Sequence, residues 1–395
     1  MDVADKRGLK NIIIINDFNY EQGGATKIAI DTANMLAEKH YHVVFISAIS
    51  QKNSNALSKT IEQYSLNSRE FLKYDNKFEG MFKGIKNNDF SRLVASIIQK
   101  YSRKDTIIHV HGWTKGCSAS FFPLLKKKHF TTIITLHEYF SMCANGAYYD
   151  YKRKIACQEC PGSVKCLLKN CDSRNYLFKI YRSIRQLFYR RYMDFNYLNA
   201  IFVSEFQRDL IRKYISFDHN QVIENPYYLE IKENQTKKWD YIYIGRTTAE
   251  KGADYFLRLA KDMPDQKFVI VGNFQGKTTG NVTVTGWVSE EAVMEYLCSS
   301  KVLILPSLWP ETFGLNVFKA IKQGIPCLVS SNTAAEKIIS NENGLVFQQG
   351  NYNDMKKKAE EVINLKPEIK KFDDNRNELY IEKILDFYNK SLSLG

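Results

Sequence analysis

Short apolar runs of strand length, each followed by a helical stripe, recur along the chain. Residues 11–16 (NIIIIN) are apolar without interruption between two asparagines, the pattern of a strand buried on both faces. A stripe carrying Ile28, Met35 and Leu36 follows over 26–39, and residues 42–47 give the next strand. The alternation returns at 106–111, 131–137, 199–203 and 221–224, then breaks at Asn225-Pro226. It restarts at 240–244, 267–271, 282–285, 302–305 and 326–330. Repeated strand, crossover helix and strand predict parallel sheets. The break predicts two α/β domains, 1–226 and 237–375, joined by a polar linker over 227–239. A final amphipathic helix is expected over 377–391, with Leu379, Ile381, Ile384, Leu385 and Phe387 on its apolar face.

Composition narrows the class. At 395 residues the chain can fill two ordinary cores. No apolar run approaches the roughly 20 residues that span a bilayer. The first residues, MDVADKRGLKNIIIIN, carry no secretory h-region or cleavage site, so a cytoplasmic location is expected. The net charge of +13 calls for a polyanionic partner, and no nucleic-acid-binding motif accompanies it. One basic feature is the run Lys126, Lys127, Lys128. The other is a helical stretch over 177–192, where Leu177, Ile180, Tyr181, Ile184, Leu187 and Phe188 alternate with Lys179, Arg182, Arg185, Arg190 and Arg191 and no acid intervenes. Such a helix suits the headgroup region of an anionic membrane, or packs as an ordinary surface helix on its own domain.

Five of the eight cysteines, Cys143, Cys157, Cys160, Cys166 and Cys171, fall within one short segment. In a reducing compartment such a group points to a metal before disulfides, and zinc would take four of them. Cys157 and Cys160 have the two-residue gap of a zinc knuckle, whereas Cys166 and Cys171 are spaced by four residues, a weaker match for the second half. Buried thiols or a disulfide are the alternative.

The chemistry-bearing residues fall at strand ends, where open parallel sheets bind ligands. Gly23 and Gly24 precede the first helix and permit a tight turn with close backbone approach. His109 and His111 end one strand and His137 the next. Arg246 and Lys251 lie in GRTTAEKG, at a strand-to-helix turn from which both reach a diphosphate. The stretch 306–330 leads from a strand through Glu311 and Gly314 into a helix, and its open first turn favours an anion. An acid beside that cradle suits the hydroxyls of an attached sugar.

Taken together, these motifs resemble the retaining family 4 glycosyltransferases of the GT-B fold, two Rossmann-like domains facing across a cleft. The resemblance covers nearly the whole chain. It implies an acceptor-side first domain, a donor-binding second domain and a last helix, 376–395, that packs back on the first. Glu311 matches the first of two family acids, associated with donor sugar and phosphates. Lys319 stands where the second acid would meet the nucleotide ribose. The resemblance further implies that Gly23 and Gly24 face the donor phosphates, that His137 meets the transferred sugar, and that Arg246 and Lys251 neutralise the leaving diphosphate. Donor contacts are implied for Gly245, Gly272, Asn273, Trp287, Val288, Thr312, Phe313, Gly314 and Leu315. HEYFSMCANG and KCLLKNCDSR resemble a segment of bacterial polysaccharide glycosyltransferases, which implies Cys143, Cys157, Cys166 and Cys171 as the metal tetrad. The implied reaction moves a sugar from a nucleotide-diphosphate donor to a hydroxyl, with retained configuration and no catalytic metal. The basic surface suits a lipid-linked saccharide acceptor at the inner face of the cell membrane. A non-catalytic scaffold in a polysaccharide assembly complex and a sugar-nucleotide epimerase are the competing readings.

Overall fold

The computed structural model describes residues 8–51, 54–227, 235–367 and 376–394. Residues 228–234, most of the expected linker, lie outside that range. The first half supplies strands β1 (Asn11–Phe18), β2 (His42–Ile49), β3 (Glu62–Ser65), β4 (Thr106–Val110), β5 (Thr132–Leu136), a small hairpin of β6 (Tyr149–Asp150) and β7 (Ile155–Ala156), β8 (Asn199–Phe202) and β9 (Asn220–Val222). The second half supplies β10 (Trp239–Ile244), β11 (Phe268–Val271), β12 (Val282–Val284), β13 (Ser300–Leu305), β14 (Cys327–Ser330) and β15 (Gly344–Phe347). The helices are α1 (Gly24–Glu38), α2 (Lys77–Ile85), α3 (Asn88–Ile98), α4 (Phe122–Lys127), α5 (Val164–Leu168), α6 (Tyr176–Tyr192), α7 (Glu205–Arg212), α8 (Ala253–Asp262), α9 (Glu290–Cys298), α10 (Leu315–Lys322), α11 (Tyr352–Val362) and α12 (Arg376–Leu394).

Two parallel sheets result, ordered β3-β2-β1-β4-β5-β8-β9 and β12-β11-β10-β13-β14-β15. The apolar strands explain the layering. Along β1, Ile12 and Ile14 enter one core and Ile13 and Ile15 the other, because successive side chains point to opposite faces. Along β10, Tyr241 and Tyr243 face one layer and Ile242 the opposite one. Both sheets are thus covered on both sides, as strands without a polar alternation require. The edge strand β3 is mostly polar, and the sequence pattern alone did not reveal it.

The last helix packs on the first sheet with most of its expected face inward, Ile381, Ile384 and Phe387 buried and Leu385 half-buried against the same core. Tyr380, Ile381, Ile384, Phe387 and Tyr388 are buried against Ile12, Ile14 and Ile107, whereas Leu379 is 45% exposed. Two tyrosines join the buried stripe in place of Leu379 because their hydroxyls find partners: Tyr380 at Thr32 Oγ1 (2.7 Å) and Tyr388 at His109 Nδ1 (2.6 Å). The stretch over 177–192 also differs from the expectation. It forms α6 and packs on its own domain, yet Lys179, Tyr181 and Arg185 are the buried positions while Leu177, Ile180, Ile184, Leu187 and Phe188 face out.

The register of α12 is checked by a pair of variants. Phe387→Ala should cost about 3–5 kcal/mol of unfolding free energy and Leu379→Ala within about 0.5 kcal/mol of nothing. Equal losses in urea unfolding would mean that the helix docks on the other face.

Candidate active site

The carboxyl ends of the two sheets meet at the loop that follows β13. Side-chain hydrogen bonds to and from the first domain hold it in place. The Tyr139 hydroxyl donates to the Pro310 carbonyl (2.7 Å), Thr312 Oγ1 to the His137 carbonyl (2.9 Å), and Ser204 Oγ to the Thr312 carbonyl (2.6 Å). Ser204 also caps α7, accepting from the Gln207 amide, while the Gln207 side chain donates to the Leu136 carbonyl (2.6 Å). Leu308 and Trp309 sit in the core of the first domain although they belong to the second, and Trp309 packs edge-on to Tyr139 with centroids 6.0 Å apart.

Within this loop Lys251 and Glu311 meet. The ammonium lies 2.9 and 2.7 Å from Oε1 and Oε2 of the carboxylate, and Oε2 also accepts from Ser307 Oγ and Trp309 Nε1, each at 3.0 Å. Lys251 further lies over the Trp309 ring, 4.6 Å from its centroid. Burial opposes the charge on Glu311, but Lys251 and the two neutral donors outweigh it and hold the carboxyl below its usual range. The two turns are pinned together by the Leu308 and Trp309 amides, which donate to the Glu250 carbonyl (2.8 and 3.2 Å). Gly252 makes the approach possible: at φ 72°, a Cβ there would stand 1.8 Å from the Pro306 carbonyl oxygen.

Arg246 is more open. Its guanidinium is 3.9 Å from Glu250 Oε1, and its side chain is 57% exposed. It faces the first domain nonetheless, since its charge and that of Lys251 act on Glu138 and its own acts on Tyr151. Burial pushes the Glu138 carboxyl upward, and Lys115, Arg246 and Lys251 pull it only partly back. Thr247 Oγ1 donates to the Asn273 carbonyl (2.6 Å) and Asn316 Nδ2 to the Ile244 carbonyl (3.3 Å), so Gly245, Asn273 and the start of α10 share one rim. Gly272 and Gly286 form a bridge beside them, Val288 packs on the core behind, and Trp287 stands out at 65% exposure.

Two helix mouths open toward this gap. Gly314 (φ 88°) precedes α10 and Gly23 (φ 133°) precedes α1, and neither helix has a capping side chain or an acid in its first turn. The first two N–H groups of each are therefore available to an anion, whereas the Val317 amide already donates to the Gly314 carbonyl (2.9 Å). Phe313 is buried and stacks on Phe318, and Leu315 is half-buried at the first position of α10. Lys319 lies deeper: only 4% exposed, it pairs with Glu290 at the start of α9. Burial and the charge of Lys27 lower its pKa to about 8, with Asp31 of α1 acting the other way. Lys319 therefore forms an ion pair under the rim, where the family pattern has an acid.

His137 ends β5 at the gap and belongs to a buried chain of rings. Its Nε2 is 3.1 Å from His111 Nδ1, the His111 and His109 rings are 4.1 Å apart, and His109 bonds Thr135 (2.7 Å) and Tyr388. Burial lowers His109 to about 3, His137 to about 4 and His111 well below its usual value, so all three are neutral near pH 7. The sequence reading missed Asp17, whose buried carboxylate accepts four successive amides, from Thr114 to Cys117, at 2.8–3.0 Å. Its place one residue after NIIIIN was the available signal. It fixes the loop after β4 beside the histidines.

The cysteine segment forms the β6–β7 hairpin and α5 on the same side. Cys143, Cys157, Cys166 and Cys171 lie near enough to act on one another electrostatically, while Cys160 is exposed. Lys179 of α6 reaches among them, 3.8 Å from Cys166 Sγ. As the side chains stand, no group of three His, Cys, Asp or Glu among the described residues is arranged to hold a metal ion.

Two parallel six- and seven-stranded sheets meeting at their carboxyl ends define the GT-B fold. Sucrose-phosphate synthase from Thermosynechococcus elongatus superposes with a TM-score of 0.69 over 98% of this chain and all of its own, at 16% identity. The Anabaena protein HepE, solved in complex with UDP and glucose, gives 0.60 over 98% of this chain and all of its own, at 13% identity. Residues 228–378 match the family described as glycosyl transferases group 1. In sequence the chain is 25% identical to an uncharacterized 41.2 kDa protein in the cps region of Klebsiella pneumoniae, covering 69% of this chain and 73% of that one. The family match over the second half of the chain makes the protein a glycosyltransferase by class, and the superpositions show its fold.

The histidine chain gives a test in pH. All three groups have folded pKa values below the unfolded value near 6.5, so stability is full above that pH. It falls on acidification, when the unfolded chain takes up protons that the native cluster refuses. The loss should be about 1.4 kcal/mol per pH unit for each histidine that stays neutral. Urea unfolding at neutral pH and at pH about 5 should show a shallower dependence in His109→Gln, and an unchanged slope would exonerate the cluster.

Proposed function

We propose that the protein moves a sugar from a nucleotide-diphosphate sugar to a hydroxyl of a saccharide acceptor, with retained configuration, during assembly of a cell-surface polysaccharide. The observation that carries this reading is the Lys251–Glu311 pair set beside the open mouth of α10 and facing His137. An arriving diphosphate offers Lys251 a second, more highly charged partner. Shifting toward it, the ammonium frees one side of Glu311 for a sugar hydroxyl. Arg246, exposed on the same rim, supplies a planar fork for the phosphate oxygens. Charge building on the leaving diphosphate then meets two cations and the first two amides of α10, all fixed beforehand. The relative in a cps region and the UDP complex of the Anabaena neighbour support the polysaccharide setting and the donor class.

Retention fits the carboxylates present. Glu311 is held by four donated contacts and Glu138 is biased toward its protonated form, so neither is a free nucleophile of the kind a double-displacement enzyme requires. Transfer on one face of the sugar, with the departing phosphate taking the acceptor's proton, needs neither of them to attack. For the acceptor, a cavity of about 430 Å³ adjoins the loop at Leu308 and Pro310, and Tyr148, Tyr214, Asn332 and Gln349 line it with hydroxyls and amides suited to sugar. The four cysteines suit a structural zinc in number and kind, and the buried ammonium of Lys179 suits the negative charge of a zinc tetrathiolate.

Lys251→Ala and Arg246→Ala should each raise the barrier to transfer by about 3 kcal/mol, a loss of roughly two orders of magnitude in kcat. UDP or a UDP-sugar should protect the wild type against thermal unfolding. Near-normal turnover in either variant, or no protection by any nucleotide, would count against the assignment. Purified protein should carry about one zinc per chain. Metal-free protein with all four thiols reacting in the native state would remove the zinc.

A further inference from the structure

A soluble helix hides its apolar stripe and shows its cations to water. In α6 the two are exchanged. Lys179 (2% exposed) lies among thiols, and Arg182 pairs with buried Asp172 at 3.0 Å. The Arg185 guanidinium packs between the Phe140, Tyr181 and Tyr189 rings at 5.3–5.9 Å, and Arg190 donates to the Met142 and Pro161 carbonyls. Each of these cations has lost water, which is costly. Meanwhile Leu177 (76% exposed), Ile180, Ile184, Leu187 and Phe188 form an uncovered stripe along the helix.

The neighbouring helices extend this face. Helix α2 flanks α6 through the Tyr181 and Tyr189 hydroxyls, which donate to the Met81 and Gly84 carbonyls, and it presents Phe78 (76%) and Phe82 (73%) to solvent. On the opposite flank, near Lys179 and Arg190, α5 has no buried residue and exposes Val164 and Leu168. Three helices of one domain therefore carry uncovered large apolar side chains side by side. The exposed cations Lys77, Lys165, Arg174 and Arg191 stand at its edges. Between residues 151 and 193 the sequence has eleven basic and two acidic residues, most of the chain's excess charge.

We propose that the α2–α5–α6 face is a membrane-docking surface that inserts its apolar side chains into the headgroup–acyl boundary of an anionic leaflet, with the helices lying in the plane of the surface. Charge selects this occupant. A second copy would set one ring of cations against another, whereas anionic lipid meets the ring with opposite charge and the stripe with hydrocarbon. Among the described residues no helix is long and apolar enough to cross a membrane, so the contact is peripheral. The proposal deepens the reading of a lipid-linked acceptor, because it brings the acceptor-side domain to the surface where such a molecule resides. An inserted stripe also holds at high salt, where a purely electrostatic contact lets go.

The test is flotation of the full-length protein with vesicles of neutral phosphatidylcholine and of phosphatidylcholine with phosphatidylglycerol, at low and high salt. Wild type should float with anionic vesicles and retain a substantial part of its binding at high salt. The triple variant Phe78→Ser/Leu177→Ser/Leu187→Ser should lose at least about tenfold in partitioning, and Arg174→Glu/Arg191→Glu should lose mainly the preference for anionic lipid. All these side chains are exposed, so native circular dichroism and unchanged protection by UDP separate a docking failure from misfolding or from failure of the donor site. Three results would overturn the proposal: equal flotation of the triple variant, binding abolished by salt alone, or a wild-type dimer that the triple variant dissolves.

Discussion

Three side-chain hydrogen bonds, from Tyr139, Thr312 and Ser204, bind one loop of the second sheet to the strand ends of the first. Everything the gap can do follows from that clamp. It sets Trp309 into the neighbouring core, which places its indole under Lys251 and its N–H against Glu311. The ion pair is thereby assembled from two turns whose approach depends on the missing side chain of Gly252. A buried pair of this kind is poor at adding stability, because the solvation lost by both charges offsets their attraction. Its value is positional, since both groups are held ready at the edge of an anion-accepting helix mouth.

The sheets were legible because uninterrupted apolar runs such as NIIIIN permit little else, and strand ends marked where the chemistry would gather. Arg246, Lys251, Glu311 and His137 do share one gap. The pairing of Lys251 with Glu311 was not legible, because the two are distant in sequence and nothing local says that one will neutralise the other. Lys319 shows the same limit: its partner Glu290 is visible only once α9 and α10 pack together.

Periodicity misled in a more instructive way on two helices. A stripe of apolar residues gives the spacing of a face but not its direction. In α12, Tyr380 and Tyr388 outcompete Leu379 for the interior because each brings a hydrogen bond along with its ring. In α6 the inward face is chosen by what lies beneath: thiols, aromatic rings, a buried aspartate and unpaired carbonyls accept cations and would have left leucines beside stranded polar atoms. The outward apolar stripe is the remainder of that choice.

The return of α12 has a consequence for how the chain reaches its native state. One layer of the first sheet, including Ile12, Ile14 and Ile107, is covered in part by α1 and completed only by residues 380–388. On the ribosome, the half made first must therefore wait with an apolar flank bare until the final helix has been synthesised and has emerged. Premature termination anywhere in the second half would leave a translated but unsealed amino-terminal half, a natural client for chaperones or proteases.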